Sequence, residues 1–323
     1  MNGKSNIIWL LNLEEQHGHL IPNPHRGIGI GLRQRLEKMG FEIKMSNDAS
    51  NLGEFFALIA GDADEQRLDQ MSAYPRERCF LIATEPPAVI PLFPHPRTSE
   101  RFGKIFTLLQ SFVDNKNYFK IHHMIEQKNV VKKGEELPFS QKKLCCMIQG
   151  NKGCHKIPGE LYTERRNLAF NLTYNIDLKG EVFDLYGPWW DGMKSWKGIV
   201  PTGKSILKEY KFAICYENTA NQPGYITERL FHSLLTRNVP VYLGAPDITD
   251  YVPKECFIDP RDFGGVGPQT HQKLWNYLVN VDESTYQKYI EAGQEYLQNN
   301  PKFKLFSVDT IVDTIMREIE KLT

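Results

Sequence analysis

The sequence predicts an α/β protein built as two doubly wound halves, each around a parallel sheet, and three observations carry that expectation. Short apolar runs alternate with longer amphipathic stretches along the chain, which is the rhythm of parallel strands joined by crossover helices. The alternation is interrupted over 127–143, a segment rich in Lys, Glu and Gln with the composition of a linker. The length of 323 residues suits two domains of roughly 150 residues each, large enough to bury a core without staples.

In chain order, the apolar run over 7–12 reads as a first strand, because Asn12, Glu14 and Glu15 end it before it reaches signal-peptide length. A helix follows over 27–39, then strands over 41–45 and 55–60, a polar helix over 64–71 and a strand over 79–84. That strand runs into Glu85-Pro86-Pro87, where the prolines force the chain out of any ladder. After an aromatic, Pro-rich loop, 105–109 is a further strand. The second series reads strand 144–149, helix 159–174, strands 182–186 and 212–216, helix 225–237, strand 239–243 and a strand-like 256–258. Three helices over 271–279, 284–298 and 308–322 close the chain. The expected domains are 1–140 and 141–323, the second including the closing helices. Two such domains facing a cleft place ligands in loops at the carboxyl ends of the strands.

Composition excludes several classes of function. The 39 Lys and Arg balance 39 Asp and Glu, so no global field draws the chain to nucleic acid or to an anionic membrane. No apolar stretch approaches the roughly 18 to 20 residues of a membrane span, and a soluble chain without a transmembrane anchor is expected. The cysteines Cys79, Cys145, Cys146, Cys154, Cys215 and Cys256 contain no CxxC pair, and several lie in apolar strand-like runs, as reduced core thiols do. Cys145, Cys146, Cys154 and His155 cluster in sequence, but their spacing fits no familiar zinc pattern, and His17-Gly18-His19 lacks a completing ligand. Asn171-Leu172-Thr173 matches a glycosylation sequon inside a helix-like stretch and is read as coincidence.

Neither GxGxxG nor GxSxG occurs. Residues 198–205 spell GxxxxGK[ST], yet the preceding Asp191 to Lys197 is a polar, Trp-bearing loop where a P-loop needs a buried strand. A denser signal begins at Lys211: KFAICYENTANQPGYITERLFHSLLTRNVPVYLGAP. It reads as a buried strand, polar Glu217 and Asn218, a Pro-Gly turn, a helix start and a strand ending in Gly-Ala-Pro. Strand, polar turn and helix N-terminus form an anion-site layout. Amides near Gly224 and Tyr225 would meet a phosphate, and Arg229 adds a fixed forked cation. Glu228 suits a ribose hydroxyl or a developing cationic sugar better than a phosphate. From spacing alone, an amphipathic helix whose Glu and Arg point to water fits as well.

The stretch from Phe212 to Pro246 resembles the signature of the α-1,3/4-fucosyltransferase family, approximately F-x-x-x-x-E-N-x-x-x-x-x-Y-x-T-E-K followed by a strand ending P-x-Y-x-G-[AS]-P. Here six residues, Thr219 to Gly224, separate Asn218 from Tyr225 where the family commonly has five, and Arg229 stands where it more often has Lys. Arg165, followed by Leu168 and Leu172, is similar to the family's Arg-led helix, and Asp184-Leu185-Tyr186-Gly187 to its strand-to-glycine turn. Ala83-Thr84-Glu85-Pro86-Pro87 occupies the place of the family's catalytic glutamate.

The resemblance implies a GT-B fold of two Rossmann-like domains, with the acceptor bound mainly by the first and the nucleotide sugar by the second. It implies GDP-β-L-fucose as donor, a glycan hydroxyl as acceptor and inversion at the anomeric carbon. Glu85 is then the base, and Arg165, or its neighbour Arg166, joins Arg229 on the diphosphate. Tyr225, Asn218 and Glu228 match positions that hold the donor, Glu228 supporting the sugar or the nucleotide, with Tyr186 and Gly187 beside the nucleotide. Trp189 and Trp190 are either a sugar-stacking platform or loop anchors. The Asp-x-Asp of metal-dependent sugar transferases has a formal match in Asp62-Ala63-Asp64, away from the donor segment. No metal and no resident cofactor are therefore expected, and no nucleic-acid partner. Neither the membrane anchor nor the heptad repeats of some family members are visible, so a cytoplasmic bacterial or viral enzyme, or a shortened form of a longer one, is expected. Two alternatives share these residues: the same fold with another nucleotide sugar, and a glycan- or nucleotide-binding module without turnover.

Overall fold

The computed structural model describes residues 5–13, 26–62, 64–93, 95–127, 130–200 and 206–322. The chain divides into two units, one of Met1–Glu126, Gln222–Tyr225 and Lys304–Thr323, the other of Gln127–Asn221 and Ile226–Phe303.

The first unit is built on six strands: β1 (Ile7–Leu11), β2 (Glu42–Ser46), β3 (Ala57–Gly61), β4 (Cys79–Ala83), β5 (Lys104–Thr107) and β6 (Tyr118–Lys120). They lie in the order β2-β1-β3-β4-β5-β6 and every pairing is parallel. Strands β3 and β4 are buried at every position, as central strands covered on both faces must be, which is why they read as unbroken apolar runs. The short edge strand β6 was not expected, since Tyr-Phe-Lys carries no apolar run; Asp114 sets it up by accepting the amides of Lys116, Asn117 and Tyr118, each at 2.8 Å. Helices α1 (Arg26–Lys38), α2 (Glu65–Met71) and α3 (Pro96–Arg101) belong to this unit.

The second unit holds β7 (Lys143–Ile148), β8 (Phe183–Tyr186), β9 (Tyr210–Tyr216) and β10 (Val239–Leu243), in the parallel order β10-β9-β7-β8. The strand order therefore reverses between β7 and β9, the place where doubly wound sheets open a crevice for ligands. Around the sheet lie α4 (Tyr162–Phe170), α5 (Glu228–Leu235), α6 (Pro268–Asn280) and α7 (Glu283–Asn299). The expected strand over 256–258 is instead a 3₁₀ turn, Lys254–Cys256, after which Ile258 makes a single parallel bridge to Val241. Helix α4 runs on as a π turn, Asn171–Asn175. There Asn171 Nδ2 donates to His271 Nδ1 at 2.8 Å while His271 Nε2 donates to Glu164 Oε1 at 2.5 Å. The asparagine of the sequon is thus a buried structural residue.

The last helix, α8 (Val308–Ile319), returns to the first unit. Its apolar face, Ile311, Val312, Ile315, Met316 and Ile319, joins the core of the six-stranded sheet, and Arg35 on α1 pairs with Asp313 at 2.6 Å. The N-terminal stretch of the first unit runs to Glu126 where the sequence reading set the boundary after 140, and the closing helices divide between the units. Of the six cysteines, all are free and all but Cys154 are buried. Burial pushes the thiols of Cys79, Cys215 and Cys256 up to about 12, which makes them inert hydrophobes. Among the described residues no helix is long and apolar enough to cross a membrane.

Candidate functional site

In the second unit the site grows from the carboxyl end of β9. Glu217, the residue after the strand, is wholly buried. Its Oε1 accepts the Thr227 amide at 2.7 Å, and its Oε2 accepts Thr227 Oγ1 and Arg229 Nη1, each at 2.8 Å. Helix α5 consequently starts at Glu228, three residues later than the 225 read from sequence, with Thr227 as its N-cap. The Thr227 side chain makes no capping bond of its own; a carboxylate ten residues back takes the orphan amide, and the helix dipole favours an anion there. Burial nevertheless pushes the Glu217 carboxyl above the usual carboxylate range, with Arg229 opposing the shift.

Arg165, on α4, is 3% exposed. One of its guanidinium nitrogens donates to the Tyr216 carbonyl and to Asn218 Oδ1, both at 2.9 Å, and the group lies over the Tyr162 ring at 4.6 Å. Arg229 Nη2 reaches the same Asn218 oxygen at 3.3 Å. Two guanidinium groups thus converge on one amide oxygen at the end of β9, a concentration of positive charge suited to an anion. Arg166 faces elsewhere, onto the Lys152 carbonyl and Thr163, which settles the choice between the two arginines for the Asn218 cluster. Glu228 is half-buried at the first position of α5.

Tyr186 ends β8 with its hydroxyl 2.8 Å from that of Tyr210, which in turn donates to Asp184 at 2.6 Å. Gly187 follows at φ +121°, where a Cβ would collide with the Gln149 carbonyl, so only glycine allows the loops after β7 and β8 to approach.

In the first unit Glu85 stands just past β4 and lines a small cavity with Asp62, Leu81, Ile90 and Phe93. Tyr225, expected among the donor-side residues of the C-terminal half, lies in this unit. Its ring is buried in the core of the six-stranded sheet, and its hydroxyl donates a long hydrogen bond, 3.5 Å, to Glu85 Oε2. Gly224, at φ +73°, offers its carbonyl to Lys120 Nζ at 2.9 Å, and the Tyr225 amide bonds to Gln222. The amides around Gly224 and Tyr225 are therefore part of a turn of the first unit, and the helix start read there from the sequence lies at Glu228 instead.

The Asp-x-Asp match is split between two structural duties. Asp62, at a left-handed φ of +41°, accepts the Thr84 amide at 3.0 Å and the Thr84 hydroxyl at 3.3 Å, while Asp64 caps α2 through the Arg67 amide at 2.8 Å. Asp62 thereby fixes the turn that carries Glu85. Asp62→Ala is expected to cost about 1–3 kcal/mol of stability and to expose the Thr84 amide to hydrogen exchange; an unchanged exchange rate at Thr84 refutes the assignment. Residues 201–205 of the P-loop string and the pair His17 and His19 lie outside the described residues. Among the described residues no group of three His, Cys, Asp or Glu is placed to hold a metal ion. Two residues central to this geometry, Glu217 and Asp62, were read from sequence only as a polar residue after a strand and as half of a motif. Their bonds to Thr227 and Thr84 cross ten and twenty-two residues and leave no local periodicity.

Residues 163–311 match the profile of the C-terminal part of glycosyltransferase family 10, the fucosyltransferases. An α-(1,4)-fucosyltransferase of Arabidopsis thaliana is 32% identical over 120 residues, 36% of this chain and 28% of the relative. The 4-galactosyl-N-acetylglucosaminide 3-α-L-fucosyltransferase 9 of Mus musculus is 27% identical over 172 residues, 52% of this chain and 42% of the relative. The matched stretches thus span less than half the length of either relative. A crystal structure of an α1,3-fucosyltransferase with GDP-fucose superposes with a TM-score of 0.57 at 12% identity, covering 99% of this chain and 93% of that one. At that identity the likeness is one of fold, and the fold is GT-B: two α/β units, each around a parallel sheet. The family that this chain resembles, over residues 163–311, is glycosyltransferase family 10, the fucosyltransferases.

Proposed function

We propose that this chain is an inverting glycosyltransferase that moves L-fucose from GDP-β-L-fucose to a hydroxyl of a glycan acceptor, without a required metal or resident cofactor. The observation that carries the reading is the convergence of Arg165 and Arg229 on Asn218 at the end of β9, inside the stretch that matches the fucosyltransferase family.

In a single displacement the acceptor oxygen attacks the anomeric carbon as the bond from that carbon to the diphosphate oxygen breaks, and the electron pair leaves with GDP. Glu85 receives the acceptor's proton as the new bond forms. The Tyr225 hydroxyl, donating to Glu85 Oε2, keeps the other carboxylate oxygen oriented. Arg165 and Arg229 stabilise the charge that develops on the departing diphosphate; each such preorganised donor commonly contributes about 3 kcal/mol. Asn218 holds the two guanidinium groups in register and Glu217 anchors Arg229. Glu228, kept off the phosphates at the start of α5, supports the oxocarbenium-like sugar, and Tyr186 and Gly187 border the nucleotide. The names of the relatives, all fucosyltransferases, support the donor.

The test is GDP release from GDP-fucose with and without a panel of lactosamine-type and other glycans, in the presence of a chelator. Acceptor-stimulated release is the expected result. If GDP-fucose neither binds nor turns over while another nucleotide sugar does, the donor is wrong; if it binds and no acceptor stimulates release, the chain is a binding module.

A further inference from the structure

Trp189 stands just past the carboxyl end of β8, 55% exposed and in a left-handed backbone conformation, φ +64°. A bulky residue rarely adopts that conformation, and burial does not explain it here. The surrounding loop is held rigidly. Trp190 Nε1 donates to the Gln149 carbonyl at 2.6 Å and Trp196 Nε1 to the Gly187 carbonyl at 2.8 Å. The segments that follow β7 and β8 remain laced together beyond the strands: the Gln149 amide donates to Tyr186 at 2.9 Å, the Asn151 amide to Pro188 at 3.0 Å, and Asn151 Nδ2 to the Trp189 carbonyl at 2.9 Å. The Trp189 ring is thus presented by a fixed frame. Over one face of the ring lies Lys152, whose Nζ is 5.9 Å from the ring centroid and whose own carbonyl is held by Arg166 at 3.0 Å.

Position gives this pair a meaning. In a doubly wound sheet the diphosphate sits at the strand-order reversal, and the ribose and base extend over the strand next to the first one. Here the reversal lies between β7 and β9, and β8 is the neighbouring strand on the other side of β7. From β9, where Arg165 and Arg229 converge, to β8 is two strand spacings, about 10 Å, comparable to the reach of a nucleoside diphosphate from its phosphates to its base.

We propose that Trp189 and Lys152 form the seat of the donor's nucleobase, the indole stacking on a purine and the ammonium group meeting the acceptor atoms on its edge. An aromatic face accepts any base, so selectivity falls to Lys152. Guanine presents two acceptors there, O6 and N7, whereas adenine replaces one with an amino donor. The seat therefore selects a guanine nucleotide. This inference rests on the reading of the donor as a GDP-sugar.

The experiment is calorimetric titration of the whole chain and of the variants Trp189→Ala, Trp189→Phe and Lys152→Ala with GDP, ADP, UDP and inorganic pyrophosphate. Trp189→Ala is expected to weaken GDP about 10-fold, with most of the affinity restored in Trp189→Phe. Lys152→Ala narrows the preference for GDP over ADP about 5-fold. Pyrophosphate affinity stays at the parent value in all three variants, because neither side chain meets the phosphates. Trp189→Ala with parental GDP affinity overturns the seat, as does an equal loss for pyrophosphate, which would mark a structural residue. Loss of glycan binding with GDP unaffected would make the indole a sugar platform and overturn it too. A parent chain that prefers UDP or ADP contradicts both the GDP-sugar reading and the Lys152 assignment, while Trp189→Ala against that nucleotide still decides the stacking.

Discussion

Glu85→Gln is expected to bind GDP-fucose as the parent does and to transfer fucose about 10² to 10⁴ times more slowly. The substitution preserves volume, and the amide oxygen can still accept from Tyr225, whose hydroxyl lies 3.5 Å from Glu85 Oε2. The turn that carries residue 85 is held independently by Asp62 through Thr84 and bounded by Pro86 and Pro87, so the backbone has no reason to move. In the proposed reaction, what disappears is the capacity to take the acceptor's proton as the glycosidic bond forms. The measurements are donor affinity by calorimetry and acceptor-dependent GDP release for parent and variant. Transfer at the parental rate would place the base at another residue; a matching loss of donor affinity would show that Glu85 contributes to binding and not to proton transfer.

Arg229→Ala carries the second large effect, and it falls on stability as well as rate. Glu217 is wholly buried, and its partners besides Arg229 are the amide and hydroxyl of Thr227. Removing one member of a buried ion pair costs about 3–5 kcal/mol. Because the Arg229 side chain is 23% exposed, the lower end applies, about 3 kcal/mol, or roughly 6–12 °C in melting temperature. Burial already raises the Glu217 carboxyl above its unfolded value, so the folded state holds that proton more tightly than the unfolded one. Stability from this group accordingly falls as pH rises from the unfolded value through the folded one, and the penalty is complete above both. Without the Arg229 cation the folded value climbs further and the penalty grows. The variant's deficit is therefore largest at about pH 8 and shrinks towards about pH 5, where the carboxyl is more readily protonated. Thermal melts at the two pH values read this directly, and equal deficits at both would show that Glu217 is not held by the pair. Transfer by the folded variant is expected to drop about 10² to 10³-fold, as for the loss of one preorganised donor to the leaving group.

The strands and most helices were legible because their signals are local. The central strands are unbroken apolar runs, since a sheet covered on both faces demands them, and β10 appears over 239–243 as read. The segment around Asn218 was legible for the same reason: strand, polar turn and helix follow one another within a few turns of chain. Helix boundaries near the site were not, because α5 is capped by Glu217 from across the turn and Gln222–Tyr225, ahead of the helix, belong to the first unit.

Other features follow from contacts far apart in sequence. An amphipathic stretch over 308–322 announces that it will bury one face, but nothing in its periodicity says which sheet receives it. The choice of the first unit depends on partners such as Arg35, 278 residues away from Asp313. The same holds for Gln222–Tyr225, drawn into the first unit where Lys120 and Glu85 meet it, and for Arg165 over Arg166, which differ only in the face of α4 they occupy. Periodicity encodes how much of each element is buried, and motif spacing encodes chemistry within one loop. Which buried surface pairs with which is fixed by complementarity of packed side chains, and that exists only once the chain has folded.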